Sequence, residues 1–169
     1  QVARISTLLA RLAGYTPAET ETIGQAALFH DIGKTAIPTA ILNKPGALTQ
    51  EEYAVVKTHT AIGQERLSQA VQTLAAAIIV AQQHHERLDG SGYLRMEDKD
   101  IHPYAKLIAV ADVFDALVSR RSYKEPWGID RTGAYLQDLA GVQFECRIVA
   151  LLLSNMDQVL ALYGPEKNV

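Results

Sequence analysis

Imidazole and carboxylate side chains recur along this chain in short, separated segments that could converge on metal ions. Four of the five histidines and two aspartates belong to this set, which comprises His30, Asp31, His59, His84, His85 and Asp112. Nitrogen and oxygen donors in this combination suit borderline transition-metal ions. A pair of such ions lowers the pKa of a water molecule and so makes it a nucleophile at neutral pH. The set therefore makes metal-assisted hydrolysis the first hypothesis.

Each of these residues also has an ordinary structural explanation when it is considered alone. His30-Asp31 falls at a helix end, where such a pair is commonly a terminus and a loop cap. His59 falls on the polar side of its helix, and a lone exposed histidine needs no ligand. His84 and His85 would point about 100° apart on a helix, so they could embrace one site only at a helix terminus. The pattern as a whole, rather than any one residue, favours a metal site.

Three charged residues bear on this hypothesis in different ways. Asp112 lies inside the most apolar helical segment of the chain. A buried carboxylate without a partner is costly, so Asp112 must be paired, capped or bound to metal. Asp115, one turn later, could instead be a salt-bridge or capping partner. Lys34 adds an ammonium group shortly after the His30-Asp31 pair, suited to a phosphate oxygen or a developing anion.

The composition limits the partners of this chain. Its 169 residues carry a net charge of −3, so it is not basic enough for a general nucleic-acid binder, although a small anionic ligand needs only a few local cations. The single cysteine, Cys146, excludes an intrachain disulfide and a zinc-thiolate site. No apolar run approaches the roughly 20 residues that span a bilayer. We expect a single cytoplasmic domain over residues 1–169, with no membrane contact of its own.

Hydrophobic periodicity predicts an all-α fold, a compact bundle of about six or seven helices without a convincing strand. Capping boxes at Thr16 and Thr49 mark two helix starts, and Gly33 is expected to break the helix before it. The predicted helices cover residues 1–13, 17–31, 49–69, 72–83, 104–120, 129–139 and 144–162. Two long loops, 35–47 and 86–103, connect them, and loops of this length in a compact domain are often functional.

The ordered motifs resemble the HD-GYP branch of the HD-domain phosphohydrolases. His30-Asp31-Ile32-Gly33-Lys34 is similar to the H-D-x-G-K signature of that branch. The stretch His84-His85-Glu86-Arg87-x-Asp89-Gly90-Ser91-Gly92-Tyr93 is similar to the segment that gives the branch its name. The resemblance extends over nearly the whole chain through Lys57-x-His59-x-x-x-Gly63, Ala111-Asp112-Val113-Phe114-Asp115 and Arg121-x-Tyr123-Lys124.

This resemblance implies an activity and a set of roles. It implies two or three iron or manganese ions and hydrolysis of cyclic di-GMP to linear pGpG and onward to GMP. The implied metal ligands are His30, Asp31 (bridging), His59, His84, His85 and Asp112. Lys34, Arg121 and Lys124 would hold phosphate, and Tyr93 would shape the pocket beside the metals. A diguanylate cyclase (GGDEF) partner, a homodimer and an upstream sensory or receiver domain are further expectations.

Three departures from the family pattern keep alternatives open. Leu94 stands where the motif has proline after the tyrosine, which predicts a looser loop. Ser122 likewise replaces a proline, and the histidine that the family's first helix supplies would fall about three residues before Gln1. The alternatives are a degenerate module that binds cyclic di-GMP or a cyclase without turnover, and an HD-type hydrolase acting on another cyclic dinucleotide or a nucleotide monophosphate. A solvated helix end is the alternative explanation for Arg121 and Lys124.

Overall fold

Helices form all the regular secondary structure of residues 1–70, 75–120 and 125–164, the parts of the chain that the computed structural model describes. The α-helices are α1 (Val2–Leu12), α2 (Pro17–Phe29), α3 (Thr39–Leu42), α4 (Gln50–Gln69), α5 (Ala75–Gln83), α6 (Pro103–Val118), α7 (Ile129–Leu139), α8 (Cys146–Ser154) and α9 (Met156–Ala161). Two 3-10 turns, Ile32–Ala36 and Asp98–Asp100, lie between them. Within these ranges the extended pairing is limited to one isolated bridge between Ala140 and Phe144. The all-α prediction is confirmed.

The centre of the bundle is α6, as the apolar periodicity of residues 104–120 predicts. Side chains around its whole circumference are buried, among them Leu107, Ile108, Val110 and Phe114. Helices α1, α2, α5, α7 and α8 all contact it. Because α6 is enclosed on all sides, the Asp112 carboxylate that it carries is held in a fixed position.

The predicted capping boxes begin the two helices that carry or lead to the site. At α2 the Thr16 hydroxyl accepts the Glu19 N–H at 3.3 Å, and the Glu19 carboxylate accepts the Thr16 N–H at 2.8 Å. At α4 Thr49 and Glu52 repeat this reciprocal pair at 3.2 and 2.8 Å. Each such cap is worth about 1 kcal/mol and fixes where the helix begins.

Two sequence-based expectations about the connections were wrong in detail. The helix α2 ends before Gly33 as expected and is followed by the 3-10 turn Ile32–Ala36, but the expected loop 35–47 contains the short helix α3. The expected helix 144–162 divides at Asn155 into α8 and α9. The Asn155 side chain donates to the Leu151 carbonyl at 2.8 Å, which competes with continuation of the helix.

Among the described residues, no helix has both the length and the apolar character needed to cross a bilayer.

Candidate metal centre

Four helices bring the six predicted ligands to one place. His30 and Asp31 follow the last turn of α2, and His59 lies in the middle of α4. His84 and His85 follow the end of α5, with ring centroids 4.1 Å apart, which is the helix-terminus placement that the sequence required. Asp112 reaches the same place from α6, so the convergence on which the metal hypothesis depends is present.

Three of the imidazoles are oriented by the backbone of their own helix. In each, Nδ1 lies within hydrogen-bonding distance of a carbonyl three or four residues earlier. For His30, His59 and His84 the acceptors are Ala27, Val56 and Val80, at 2.6, 2.6 and 3.0 Å. Because a carbonyl only accepts, Nδ1 carries the proton and Nε2 is left as the donor atom for a metal.

The two carboxylate oxygens of Asp31 face different neighbours. Oδ1 lies 3.3 Å from Nε2 of His59 and 3.6 Å from Nε2 of His84. Oδ2 lies 3.3 Å from Nε2 of His30 and 2.6 Å from the Lys34 ammonium. A carboxylate placed in this way can serve two adjacent cations, one through each oxygen.

The donor atoms are arranged as a cation site would require. One donor atom from each of Asp31, His59, His84 and His85 lies within 4.8 Å of the other three. Nε2 of His59 and Nε2 of His84 are 3.4 Å apart, so neutral rings protonated at Nδ1 would oppose two lone pairs, which a shared cation relieves. Nε2 of His30 and Oδ1 of Asp31 are buried without a hydrogen-bond partner. These residues therefore fit divalent metal binding.

Asp112 approaches the other side of Asp31. Its Oδ1 lies 3.7 Å from Nε2 of His30, so His30 stands between two carboxylates. Asp115, one turn further along α6, instead accepts hydrogen bonds from Ser119 (2.9 Å) and Tyr163 (2.8 Å). The alternative of a structural partner thus describes Asp115, while the Asp112 carboxylate lies beside His30.

The protonation states match a site built for positive charge. Burial alone would raise the pKa values of Asp31 and Asp112, but adjacent histidines outweigh it and lower both. Burial acts to lower the pKa of His30, yet the carboxylates of Asp112 and Asp31 raise it to about 10. Burial and the neighbouring His84 lower the pKa of His85 to about 2. The carboxylates stay ionised and His85 stays neutral, as ligands must, whereas His30 is protonated between its two carboxylates and would release that proton to a bound cation.

The expectation that His59 lies on an exposed, polar helix face was wrong. Its side chain is fully buried, because the inward face of α4 is mostly polar and small: the buried residues are His59, Thr60 and Gly63, with Leu67 at the end of the helix. The cause is close contact with the 3-10 turn that follows Asp31. A Cβ on Gly33 would lie 1.9 Å from the His59 carbonyl oxygen and 2.7 Å from the Gly63 nitrogen. Glycine at position 33 thus lets the His59 turn approach Asp31.

Tyr93 lies beside the histidines, as the motif predicted. Its ring centroid is 4.6 Å from that of His85 and 6.0 Å from that of Tyr53 on α4. Burial, with the neighbouring Tyr53, raises the pKa of Tyr93 well above its usual range. The phenol therefore stays protonated and can donate a hydrogen bond to a ligand bound beside the histidines.

The three predicted phosphate-binding residues are not assigned by the structure. Lys34 is present at the site but its ammonium pairs with Asp31, so its phosphate-binding role stays a prediction. Arg121 and Lys124 lie outside the described residues. Two contacts were missed by the sequence reasoning: Tyr53 against Tyr93, and Glu86, whose buried carboxylate binds the backbone of the Tyr93 loop. Glu86 lies inside the matching motif, and that was the available signal.

Comparison with known proteins agrees with this geometry. The family model for the HD domain matches residues 1–148. The chain is 41% identical to a 3'3'-cGAMP-specific phosphodiesterase 2 of Vibrio cholerae, covering 91% of this chain and 30% of that protein. It is 41% identical to the cyclic di-GMP phosphodiesterase response regulator RpfG of Xanthomonas campestris (97% and 44%), and 38% identical to a cyclic di-GMP phosphodiesterase of Thermotoga maritima (98% and 46%).

Solved structures share the fold. An HD-GYP-type protein of Bdellovibrio bacteriovorus, Bd1817, superposes with a TM-score of 0.78 at 23% identity, covering 92% of this chain and 50% of that one. The present chain spans less than half the length of the three curated relatives described. The matched model, these relatives and the motifs around His30 and His84 agree, and the chain belongs to the HD domain family, within its HD-GYP group.

Proposed function

We propose that this chain is a metal-dependent phosphodiesterase domain that hydrolyses cyclic di-GMP to linear pGpG and onward to GMP. The observation that carries the proposal is the cluster of Asp31, His59, His84 and His85, whose donor atoms lie within 4.8 Å of one another. Relatives at 37–41% identity are named cyclic di-GMP phosphodiesterases, which supports this substrate.

We assign the cluster to two or three iron or manganese ions. Asp31 would bridge, with His59 and His84 near its Oδ1, His85 in the same group of donors, and the His30–Asp112 pair on the other side. Mixed imidazole and carboxylate donors suit these metals. When bound, such ions supply Lewis acidity at a phosphoryl oxygen and lower the pKa of a water molecule toward neutrality.

The remaining side chains would bind and orient the substrate. Lys34 places an ammonium at the Oδ2 side of Asp31, where it can neutralise charge on a phosphate oxygen. Tyr93, protonated and beside His85, can donate to the same phosphate or pack against a guanine. Arg121 is proposed to hold phosphate through two parallel hydrogen bonds, with Lys124 as a point charge.

The mixed cyclic dinucleotide cGAMP is the second candidate substrate. It is favoured by a specific observation, since the 3'3'-cGAMP-specific phosphodiesterase 2 of Vibrio cholerae shares as much identity with this chain as RpfG does. Both substrates carry two phosphodiester bonds in a ring and at least one guanine. The metal-binding residues would act on either substrate, and the residues that contact the bases, Tyr93 among them, would discriminate between cyclic di-GMP and cGAMP.

The test is a parallel hydrolysis assay. The chain is purified anaerobically with manganese or ferrous iron and given cyclic di-GMP or 3'3'-cGAMP, and products are separated by chromatography. We expect pGpG from cyclic di-GMP. Binding without product from either substrate, by protein with a full metal complement, would overturn the enzymatic proposal in favour of a binding module. If only 3'3'-cGAMP gives product, then cGAMP and not cyclic di-GMP is the substrate.

Asp31→Asn tests the role of the cluster in that activity. We expect a loss of more than about 100-fold, because even partners of metal ligands cost 10–100-fold when changed. The matched control is Asp98→Asn, which removes a carboxylate that is likewise paired with a lysine, Lys106, but outside the cluster. Equal activity of the two variants would remove Asp31 from the mechanism.

The setting of the domain is proposed with it. The chain spans less than half the length of the three relatives described, and one of these is named a response regulator. We place this domain in a longer cytoplasmic signalling protein, with a sensory or receiver domain upstream and a diguanylate cyclase as partner. Co-purification of the full-length protein with a GGDEF protein of its own cell would test the partner.

A further inference from the structure

The loop that carries Tyr93 is wrapped around the side chain of Glu86. The residue is only 4% exposed, and its two carboxylate oxygens accept backbone hydrogen bonds, from Leu94 N–H at 2.7 Å and from Met96 N–H at 3.0 Å. Both donors lie within three residues after Tyr93. We propose that Glu86 is a positioning residue, which holds Tyr93 against the metal-binding histidines by fixing the backbone of this loop.

The backbone between the two donors supports this assignment. Arg95 has φ of 58°, and among the described residues it alone of the non-glycines has positive φ. This left-handed conformation is costly for a residue with a Cβ, and it persists where the surroundings impose it. Here it turns the N–H groups on either side of Arg95 toward one anion, an arrangement of successive backbone donors that binds negative charge.

Gly92 closes the loop against Glu86 from the other side. A Cβ at position 92 would lie 2.5 Å from the Glu86 Cα and 2.7 Å from its Oε2, so only glycine can pass there. Tyr93 is thus held between two neighbours that both contact Glu86. Glu86 directly follows His85. One dipeptide therefore supplies a proposed metal ligand and the carboxylate that fixes the Tyr93 loop opposite it.

Leu94 gives this inference a feature specific to this chain. The family motif has proline at this position, and a proline has no N–H to donate. The hydrogen bond from Leu94 to Glu86 is therefore one that the motif residue could not make. The restraint that a proline ring supplies through φ is supplied here by a charged acceptor, so the loop is anchored where the sequence predicted loosening.

Amide hydrogen exchange tests the contact without reference to any substrate. We expect slow exchange at Leu94 and Met96 by NMR in the whole 169-residue chain. Glu86→Gln keeps the shape but leaves one acceptor atom where there were two, so at least one of these amides should exchange about tenfold faster or more. Gly92→Ala, which displaces the same contact from the other side, should do likewise. Glu97→Gln, an exposed change in the same loop, should alter neither.

The kinetic consequence rests on the proposed function and is measured separately. Glu86→Gln should raise KM for cyclic di-GMP about tenfold, with unchanged metal content. In a Tyr93→Ala background the same substitution should change KM less than about twofold, because the residue that it positions is gone. Full, multiplicative effects in both backgrounds would overturn the positioning role.

The two failures are distinguishable. Unchanged exchange at Leu94 and Met96 in both Glu86→Gln and Gly92→Ala overturns the positioning proposal whatever the protein hydrolyses. Faster exchange in a protein that hydrolyses no cyclic dinucleotide supports the positioning of Tyr93 and overturns the proposed function.

Discussion

The two sides of the candidate site are held in place by different means. The metal side is the histidine cluster, and the loop side is the segment that carries Tyr93. On the metal side, His30, His59 and His84 are each bonded to a carbonyl three or four residues earlier in their own helix. On the loop side, Tyr93 is held through Glu86, whose partners are eight and ten residues away along the chain. One wall is oriented locally by helix geometry, and the other by a single side chain that closes a loop.

This difference separates chemistry from recognition. Imidazoles fixed by their own helices need only that the helices pack, so the donor set is as stable as the bundle. A wall held by one carboxylate can change shape through a few substitutions while the metals keep their ligands. Relatives of equal identity to this chain are named for cyclic di-GMP and for cGAMP.

The largest expected effect concerns the metal side. Asp112→Asn removes the carboxylate that flanks His30, while the Asp31–His59–His84–His85 group keeps its donors. We expect elemental analysis of the folded protein to lose about one ion per chain. The rise in Tm on adding manganese should shrink accordingly, since a ligand at 100 times its Kd stabilises by about 2.7 kcal/mol.

Asp115→Asn is the control for that experiment. It makes the same substitution at an aspartate one turn further along α6. The Asp115 carboxylate accepts hydrogen bonds from Ser119 and Tyr163 and does not face the histidine cluster. The stability of this variant should fall while its metal content stays full. Equal metal loss in both variants would mean that α6 affects the site only through general stability.

The next effect tests the contact that joins two pieces of the metal side. Gly33→Ala places a Cβ against the His59 carbonyl, a backbone atom that cannot yield. We expect a loss of about 1–3 kcal/mol in the free energy of unfolding, the usual cost of overpacking, together with weaker metal binding. Chemical denaturation measures the first and calorimetric titration with manganese the second.

Gly128→Ala is the matched control, because nothing lies within 4 Å of a Cβ there and its φ is −63°. Because Gly128 is the N-cap of α7, where alanine is less favourable than glycine, we expect a loss of about 0.5–1 kcal/mol and unchanged metal binding. Equal weakening of metal binding in both variants would argue that the approach of α4 to Asp31 is not what Gly33 provides.

Sequence patterns predicted the elements whose causes are local. The capping boxes at Thr16 and Thr49 and the apolar periodicity of α6 lie within single segments, so the chain itself displays them. The burial of His59 was missed for the opposite reason. Its helix buries a polar and small-residue face against the 3-10 turn Ile32–Ala36, and a hydrophobicity pattern has no signal for that contact.

The loop side was predictable in composition but not in mechanism. Glycines at positions 90 and 92 indicated a turn, and the motif placed Tyr93 at the site. That Glu86 binds the N–H groups of Leu94 and Met96 depends on a fold-back across ten residues, which no local preference determines. The departure at Leu94 therefore predicted loosening, because the sequence shows the lost proline and not the gained hydrogen bond.

The smallest expected effect tests directly whether the hydrogen bond from Leu94 to Glu86 replaces the restraint of the motif proline. Leu94→Pro restores the motif residue, which restricts the unfolded chain and contributes about 0.4–1 kcal/mol where the backbone is compatible. It also leaves Oε1 of the buried Glu86 carboxylate without its partner, at a cost of about 1–3 kcal/mol. The cost exceeds the gain, so we expect a net loss of about 1 kcal/mol in chemical denaturation and faster exchange at Met96. Leu94→Ala keeps the N–H and removes a side chain that is 47% exposed, so it should be nearly neutral. If Leu94→Pro is more stable than both the unsubstituted protein and Leu94→Ala, then restriction of φ, and not the contact with Glu86, fixes the loop that carries Tyr93.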